Sequence, residues 1–390
     1  MKELSRRISS MKPSATIRMS AKIRSLAASG IQAIDFGVGE PNLDLPPNIK
    51  RAGIEAIHAN RNRYTPVAGI KELKDAIAAK LLRDNDVEYA PEQVVVSSGA
   101  KQSLFNIISV LSNPGDEIIL LRPFWVTYAE QVRLCGATPV FVDLDDDFHI
   151  KPGSVEKAIS ASTKAIILNT PSNPTGAVIS KKDLLHIAAL AKIHDFFIIS
   201  DEVYEYFTFD GHEHVSVASL SKDAYDRTIT VNACSKSHSM TGLRIGYCAG
   251  PRNIIKLVED FQGQNSGNPS SIAQYMAVEA LKATKDDFKP VVQEFDRKRR
   301  LAFELLLKAG VKCKKPEGAF YFFFPISQFG LDSVQFCESL LDGEKVSLVP
   351  GAAFGKEGYA RLSYATSEEN LAEGISRIGT FISRLQGGQN

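Results

Sequence analysis

The run Ser235-Lys236-Ser237-His238-Ser239-Met240-Thr241-Gly242-Leu243-Arg244 sets a lysine among small and polar residues, directly after the apolar, β-branched stretch Thr228–Ala233. A lysine kept out of water, or held near other charges, loses its proton readily and becomes a nucleophile towards carbonyl carbon. Arg244, eight residues further on, carries a planar fork that can grip a phosphate through two hydrogen bonds. The plainer reading is a surface loop with two solvated cations.

Four further stretches carry candidate chemistry. Ser200-Asp201-Glu202-Val203-Tyr204 closes the apolar run Phe196–Ser200. A carboxylate there is costly to bury without a cationic partner, and Tyr204 shares its pocket if a helical turn begins at this point. The alternative is an N-cap aspartate. Ser97-Ser98-Gly99-Ala100-Lys101-Gln102 stands where a strand gives way to a helix. Its small residues admit a ligand to the free N–H groups of a helix start, which outlines a phosphate cradle or an ordinary turn. Asn169-Thr170-Pro171-Ser172-Asn173-Pro174-Thr175-Gly176 is a rigid loop after another apolar strand, with Asn173 as donor and acceptor. Arg361, inside the apolar stretch Ala360–Tyr364, either snorkels outward or receives a carboxylate. Trp125, the only tryptophan, can stack on a flat ring.

Other patterns are set aside. Gly37-x-Gly39 lacks the third glycine of a dinucleotide fingerprint, and Gly351–Lys356 is one residue short of a phosphate-binding P-loop. His212 and His214 look like a metal pair but have no further ligand near in sequence, so they are read as surface loop, and no metal is expected.

The elements that must hold these residues are legible from periodicity. Val94–Ser97, Glu117–Leu121, Thr138–Asp143, Lys164–Asn169, Phe196–Ser200, Thr228–Ala233 and Arg244–Ala249 are mostly continuous apolar runs, as strands buried on both faces read. Helical patterns such as Lys101–Leu111 and Lys181–His194 alternate with them, which predicts an α/β fold with a mostly parallel sheet of about seven strands. The ends differ. A helix is predicted over Ala15–Ala28 with Gly30 as its C-cap, then a long helix over Asp286–Leu307, strands at Ala319–Phe324, Val346–Val349 and Ala360–Ala365, and a closing helix over Glu368–Leu385. The expected division is an N-terminal segment, 1–40, packing with a smaller α+β domain, 286–390, around a large domain, 41–285.

Composition narrows the class. The formal net charge of +1 leaves no electrostatic footprint for nucleic acid or an anionic membrane. No apolar run approaches the roughly 20 residues that span a bilayer, and the basic, polar N-terminus has no apolar segment behind it to form a secretory signal. Five widely spaced cysteines without a CxxC pattern favour a reduced, cytoplasmic setting.

Taken in order, the cradle, Trp125, Asn173 in an NPTG loop, Asp201 with Tyr204, Ser235-Lys236, Arg244 and Arg361 resemble the class I/II aminotransferases among the fold type I pyridoxal-phosphate enzymes. The resemblance covers about residues 10–385. It is closest to the bacterial aspartate aminotransferase branch that includes prephenate aminotransferases, through Pro13-Ser14-Ala15-Thr16, Arg63–Gly69, Gly99–Gln102 and Pro123-Phe124-Trp125-Val126-Thr127-Tyr128. Leu243, where many relatives carry Trp, is a departure.

The resemblance implies pyridoxal 5′-phosphate joined to Lys236 as a Schiff base, with Lys236 moving the proton between substrate and cofactor. It implies Asp201 on the ring nitrogen, Tyr204 and Asn173 on the ring oxygen, and Trp125 on the ring face. Gly99, Ala100, Lys101, Ser235 and Arg244 would form the phosphate site, joined by Tyr64 of the partner subunit in a homodimer. Arg361 would take the substrate α-carboxylate with Asn173 and Gly39, and Lys101 a side-chain carboxylate, with Ser14 and Thr16 nearby. The implied reaction is transfer of the amino group of L-aspartate to 2-oxoglutarate. Prephenate, LL-diaminopimelate and aromatic aminotransferases, or a carbon–sulfur lyase, are alternatives on the same scaffold. A non-catalytic pyridoxal-phosphate sensor is disfavoured, since no DNA-binding module is visible.

Overall fold

A computed structural model of the chain describes residues 4–9, 11 and 15–387. Ser14 and the side chain of Thr16 lie outside the described residues. The strands are β1 (Ile34–Asp35), β2 (Val94–Ser97), β3 (Glu117–Arg122), β4 (Thr138–Asp143), β5 (Thr163–Asn169), β6 (Phe197–Asp201), β7 (Thr228–Ala233), β8 (Gly246–Ala249), β9 (Tyr321–Pro325), β10 (Val346–Ser347), β11 (Val349–Pro350) and β12 (Tyr359–Ser363).

Seven of them form one sheet in the order β2-β8-β7-β6-β5-β3-β4. Neighbours pair in parallel from β4 through β7, and β8 runs antiparallel to both β7 and β2. The predicted mostly parallel α/β sheet is therefore present. Strands β2, β7 and β8 are buried at every residue. Apolar cores cover both faces. One packs helices Ala100–Leu111, Thr127–Leu134 and Arg252–Asn265 against the sheet, and another packs helix Lys181–His194. That last helix starts where its sequence says it should, with Ser180 Oγ accepting from the Asp183 N–H as N-cap.

The register places the site loops. Asn169 stands level with Asp201, and Asp201 with Val231. The loops after β5, β6 and β7 thus leave the sheet side by side at its carboxyl edge, where ligands of open α/β sheets collect.

A second sheet, β11-β12-β9, is antiparallel. It packs with helices Lys285–Lys308, Ser333–Glu344 and Glu368–Gly387 into a phenylalanine-rich core that includes Phe295, Phe320, Phe322, Phe336 and Phe381. The N-terminal stretch joins this region, since β1 pairs in parallel with β10. The predicted helix Ala15–Ala28 is present, and Gly30 closes it at φ +78°. No helix among the described residues is long and apolar enough to cross a membrane.

Several boundaries shift by a residue or two from expectation, and three differ for a local reason. The strand expected at Arg244 begins at Gly246, because a short 3₁₀ turn, Thr241–Leu243, ends with Arg244 in the left-handed region at φ 55°. Ala319, at φ 53°, delays β9 to Tyr321. The run Val346–Val349 splits, one half pairing with β1 and the other with β12.

Candidate active site

One cavity of about 1160 Å³ opens at the carboxyl edge of the large sheet. It exceeds the usual size of small-molecule pockets, about 300–1,000 Å³. Its lining includes Lys236 and Ser235 after β7, Asp201 and Tyr204 after β6, and Asn173 after β5. Ala100, Lys101 and Trp125 come from the loops after β2 and β3, and Arg361, Gly39 and Arg244 complete the set. Arg244 reaches this edge because β8 is antiparallel, so the loop before it, rather than after it, lies there.

Four cations of this cavity, Lys101, Lys236, Arg244 and Arg361, form no ion pair with any described residue. Lys236 Nζ donates to the Gly39 carbonyl at 2.5 Å. Burial, followed by the positive charge of Arg361, pushes its pKa down to about 8. It is thus poised to shed a proton near neutrality. Asp201 is buried, and burial pushes its carboxyl up to about 6 despite a 2.6 Å hydrogen bond from the Tyr128 hydroxyl and a longer one, 3.4 Å, from the Val203 N–H. A buried carboxyl in that condition calls for a cationic partner.

The start of helix Ala100–Leu111 forms the anion end. Gly99 caps it at φ +85°, a conformation that side chains resist. The Gln102 N–H turns back to the Gly99 carbonyl, and the N–H groups of Ala100 and Lys101 belong to the helix's unsatisfied first turn. The backbone approaches so closely that a Cβ on Gly246 would stand 2.2 Å from Ala100 N, and one on Gly99 would stand 2.5 Å from Arg244 Nη2. Arg244 Nη1 donates to the Thr241 carbonyl. Helix start and guanidinium together make a site for a compact anion.

Arg361 lies on β12, only 3% exposed. Its Nη1 donates to Asn173 Oδ1 at 2.9 Å and its Nη2 to the Gly37 carbonyl at 2.6 Å, while Nε is buried without a partner. Buried polar atoms are almost always satisfied, so this orphaned donor, on an arginine without a carboxylate, points to an anionic ligand. Lys101 Nζ lies 5.1 Å from the centre of the Trp125 ring, and burial together with Arg244 lowers its pKa.

Tyr64 does not join this cavity and is 98% exposed. Gly99 acts from behind, against Arg244. His214 is not surface loop as its polar context suggested. Its side chain is buried, with Nε2 3.1 Å from Glu202 Oε2. Glu202, Glu205 and His214 form the one metal-like cluster among the described residues, but Lys80 Nζ and the Asn85 and Asn232 amides already occupy the Glu205 oxygens. His212 stays half-exposed, as read.

Sequence reasoning missed Tyr128, Tyr321 and the Gly37 carbonyl. Tyr128 stands three residues after Trp125, a helical spacing that was available as a signal. Tyr321 depends on strand register, which no local pattern reveals.

The chain belongs to the aminotransferases of class I and II, whose family model matches residues 31–378. It is therefore an aminotransferase. The chain is 46% identical to a probable aspartate/prephenate aminotransferase of Aquifex aeolicus, over 97% of this chain and 98% of that protein. It is 40% identical to an aspartate aminotransferase of Bacillus subtilis, over 98% and 99%. Among solved structures, an aspartate aminotransferase from Thermus thermophilus with maleate superposes with a TM-score of 0.93 at 40% identity, covering 97% of this chain and all of that one.

Proposed function

We propose that the protein uses pyridoxal 5′-phosphate to transfer the amino group of L-aspartate to 2-oxoglutarate, giving oxaloacetate and L-glutamate. The observation that carries this reading is a single cavity in which four cations lack ion partners around a buried carboxyl of raised pKa. Such a cavity suits a ligand set with one phosphate, two carboxylates and one ring cation. Relatives named as aspartate aminotransferases support the donor.

The residues fit the cofactor. The Ala100 helix start, Ser235 and Arg244 would hold its phosphate, Asp201 its ring nitrogen, Asn173 and Tyr204 its ring oxygen, and Trp125 its ring face. When bound, it supplies an electron-poor ring that accepts the charge left as a proton leaves the substrate Cα.

The chain's own residues do the rest. Lys236, whose pKa burial brings down to about 8, takes a proton at Cα in its neutral form and returns one on the other side of the reaction. Asp201 keeps a negative charge beside the ring nitrogen once a cation is there to hold it. Arg361, clamped by Asn173 and Gly37, orients the α-carboxylate, and Lys101 meets the distal carboxylate.

We also propose a homodimer in which Tyr64 serves the partner's site, because its exposed ring has no role in its own cavity. Exposed Ile54, Ile57 and Leu257 are available for burial in such a contact. The large domain would span 41–285, with 1–40 and 286–390 forming the smaller one, as the β1–β10 pairing supports.

A panel of amino donors against 2-oxoglutarate and oxaloacetate, with prephenate as a further acceptor, tests the reading. Aspartate and glutamate should lead. A preference for aromatic or diaminopimelate-type donors would overturn the aspartate assignment and leave the aminotransferase class intact.

A further inference from the structure

Tyr321 touches Arg361 and Tyr204 and lies against Gly39, yet carries no part of the assigned chemistry. It starts β9, is buried, and stands opposite Ser363 in the register, one diagonal step from Arg361 on the same face. The Arg361 guanidinium carbon sits 4.5 Å from the centre of its ring, and its hydroxyl is 2.8 Å from the hydroxyl of Tyr204. The two tyrosine rings cross edge to face with centres 5.8 Å apart. Gly39 makes room for this, since a Cβ there would stand 2.2 Å from the Tyr321 hydroxyl. The carbonyl of the same Gly39 receives Lys236 Nζ.

In the Tyr204–Tyr321 pair one hydroxyl donates and the other accepts, and its own proton is then free for a further bond. Burial raises the pKa of both hydroxyls, but the guanidinium under Tyr321 favours loss of its proton and offsets part of that rise, so Tyr321 is the better donor. Chains of this kind strengthen each successive bond.

We propose that Tyr321 is a positioning residue: its hydroxyl donates to Tyr204 and turns the Tyr204 proton into the cavity, while its ring holds the Arg361 guanidinium against the substrate carboxylate. This rests on the function proposed above and deepens it. Tyr321 couples the group that senses substrate charge to the group that meets the cofactor's ring oxygen, so occupancy of Arg361 is felt at Tyr204.

Tyr321→Phe and Tyr321→Leu separate the two contributions, and Tyr204→Phe supplies the control. The readouts on cofactor-loaded protein are the pH at which the visible band changes, the affinity for succinate as an unreactive dicarboxylate, and the split between kcat and KM. Tyr321→Phe keeps the ring. It should move the colour transition upward by about one pH unit, consistent with a loss of roughly 1.4 kcal/mol. It should lower kcat about tenfold and leave succinate affinity within about threefold, since the ring under Arg361 remains. Tyr321→Leu should additionally weaken succinate and raise KM for every donor. In a Tyr204→Phe background, Tyr321→Phe should cause no further shift in the transition, the non-additivity expected of two groups acting through one bond.

A Tyr321→Phe protein with wild-type colour transition and kcat would overturn the inference while the function stands. So would full additivity with Tyr204→Phe. A wild-type protein that shows no visible band with pyridoxal phosphate would overturn the function and this inference together. That result reads out before any variant is made.

Discussion

The hydroxyl of Tyr128 donates to Asp201 Oδ2 at 2.6 Å, and the ring of the same Tyr128 meets Trp125 edge to face with centres 5.4 Å apart. One side chain from helix Thr127–Leu134 thus braces the carboxylate and the indole that bound the cavity from two different strands. A hydrogen bond to a charged group is worth about 1.5–3 kcal/mol, and it stabilises the ionised form here. Tyr128→Phe should therefore raise the titration of Asp201 in cofactor-free protein by about one to two pH units. Difference infrared spectroscopy of the carboxyl band would follow it, and an unmoved titration would mean the contact is packing alone.

Asp201→Asn should retain the cofactor and lose several orders of magnitude in rate. It should also change the pH dependence of cofactor-free stability. Burial pushes the Asp201 carboxyl up to about 6 in the folded chain, against 3.8 for a free aspartate side chain. The folded chain then binds the extra proton between those values, so wild-type stability falls as pH rises from about 4 to 6. The variant lacks that loss and should gain on wild type across this window, by at most about 3 kcal/mol. Urea melts at several pH values measure the difference, and parallel curves would contradict it.

Lys236 gives the opposite sign. Its folded pKa of about 8 lies below the 10.5 of a free lysine side chain, so the unfolded chain binds more protons between these values and wild-type stability rises with pH there. Cofactor-free Lys236→Met should be the more stable protein below pH 8, with the gap closing towards pH 10.5. In the loaded enzyme, borohydride should fix the cofactor to Lys236, and peptide mapping that finds it on another lysine would remove the assignment.

Lys101 and Arg361 divide the substrate charges. Lys101→Ser should weaken aspartate and glutamate by roughly ten- to a hundredfold, the worth of a charge-assisted contact of about 1.5–3 kcal/mol, and spare neutral or aromatic donors. Arg361→Ala should harm every donor alike. Equal losses for acidic and neutral donors in the Lys101 variant would show that Lys101 serves the phosphate or the helix start instead.

Lys80 is a structural case. It is buried and donates to Glu205 and Asn85, and Glu205 also accepts from Asn85 and Asn232. Lys80→Met leaves Glu205 buried without its cation, so it should cost about 3–5 kcal/mol. Removing Lys222 from its exposed pair with Asp226 should cost under about 1 kcal/mol. Comparable losses in chemical denaturation would mean that burial does not set the difference.

Lys236, Asp201 and Arg361 were legible because each is a charged residue at the end of, or inside, an apolar run, where its cost demands a partner. Gly99 was legible because a small-residue turn ahead of a helix permits the backbone conformation seen there. His214 misled for the converse reason. Its neighbours Asp210, Gly211 and Glu213 read as solvated turn, yet the fold folds that turn onto Glu202.

The amino-acid sequence by itself determined the alternation of strands and helices, the buried lysine, aspartate and arginine, and the anion-binding helix start, because these follow from hydrophobic period and from the cost of burying charge. Only the tertiary structure decided which of them meet. Arg244 reaches the site because β8 runs against its neighbours, Tyr128 reaches Asp201 across two strands, and Tyr321 reaches Arg361 and Tyr204 through the β9–β12 register. Strand direction and register are set by packing between segments far apart in the chain, and a local pattern carries no record of the partner a strand will choose.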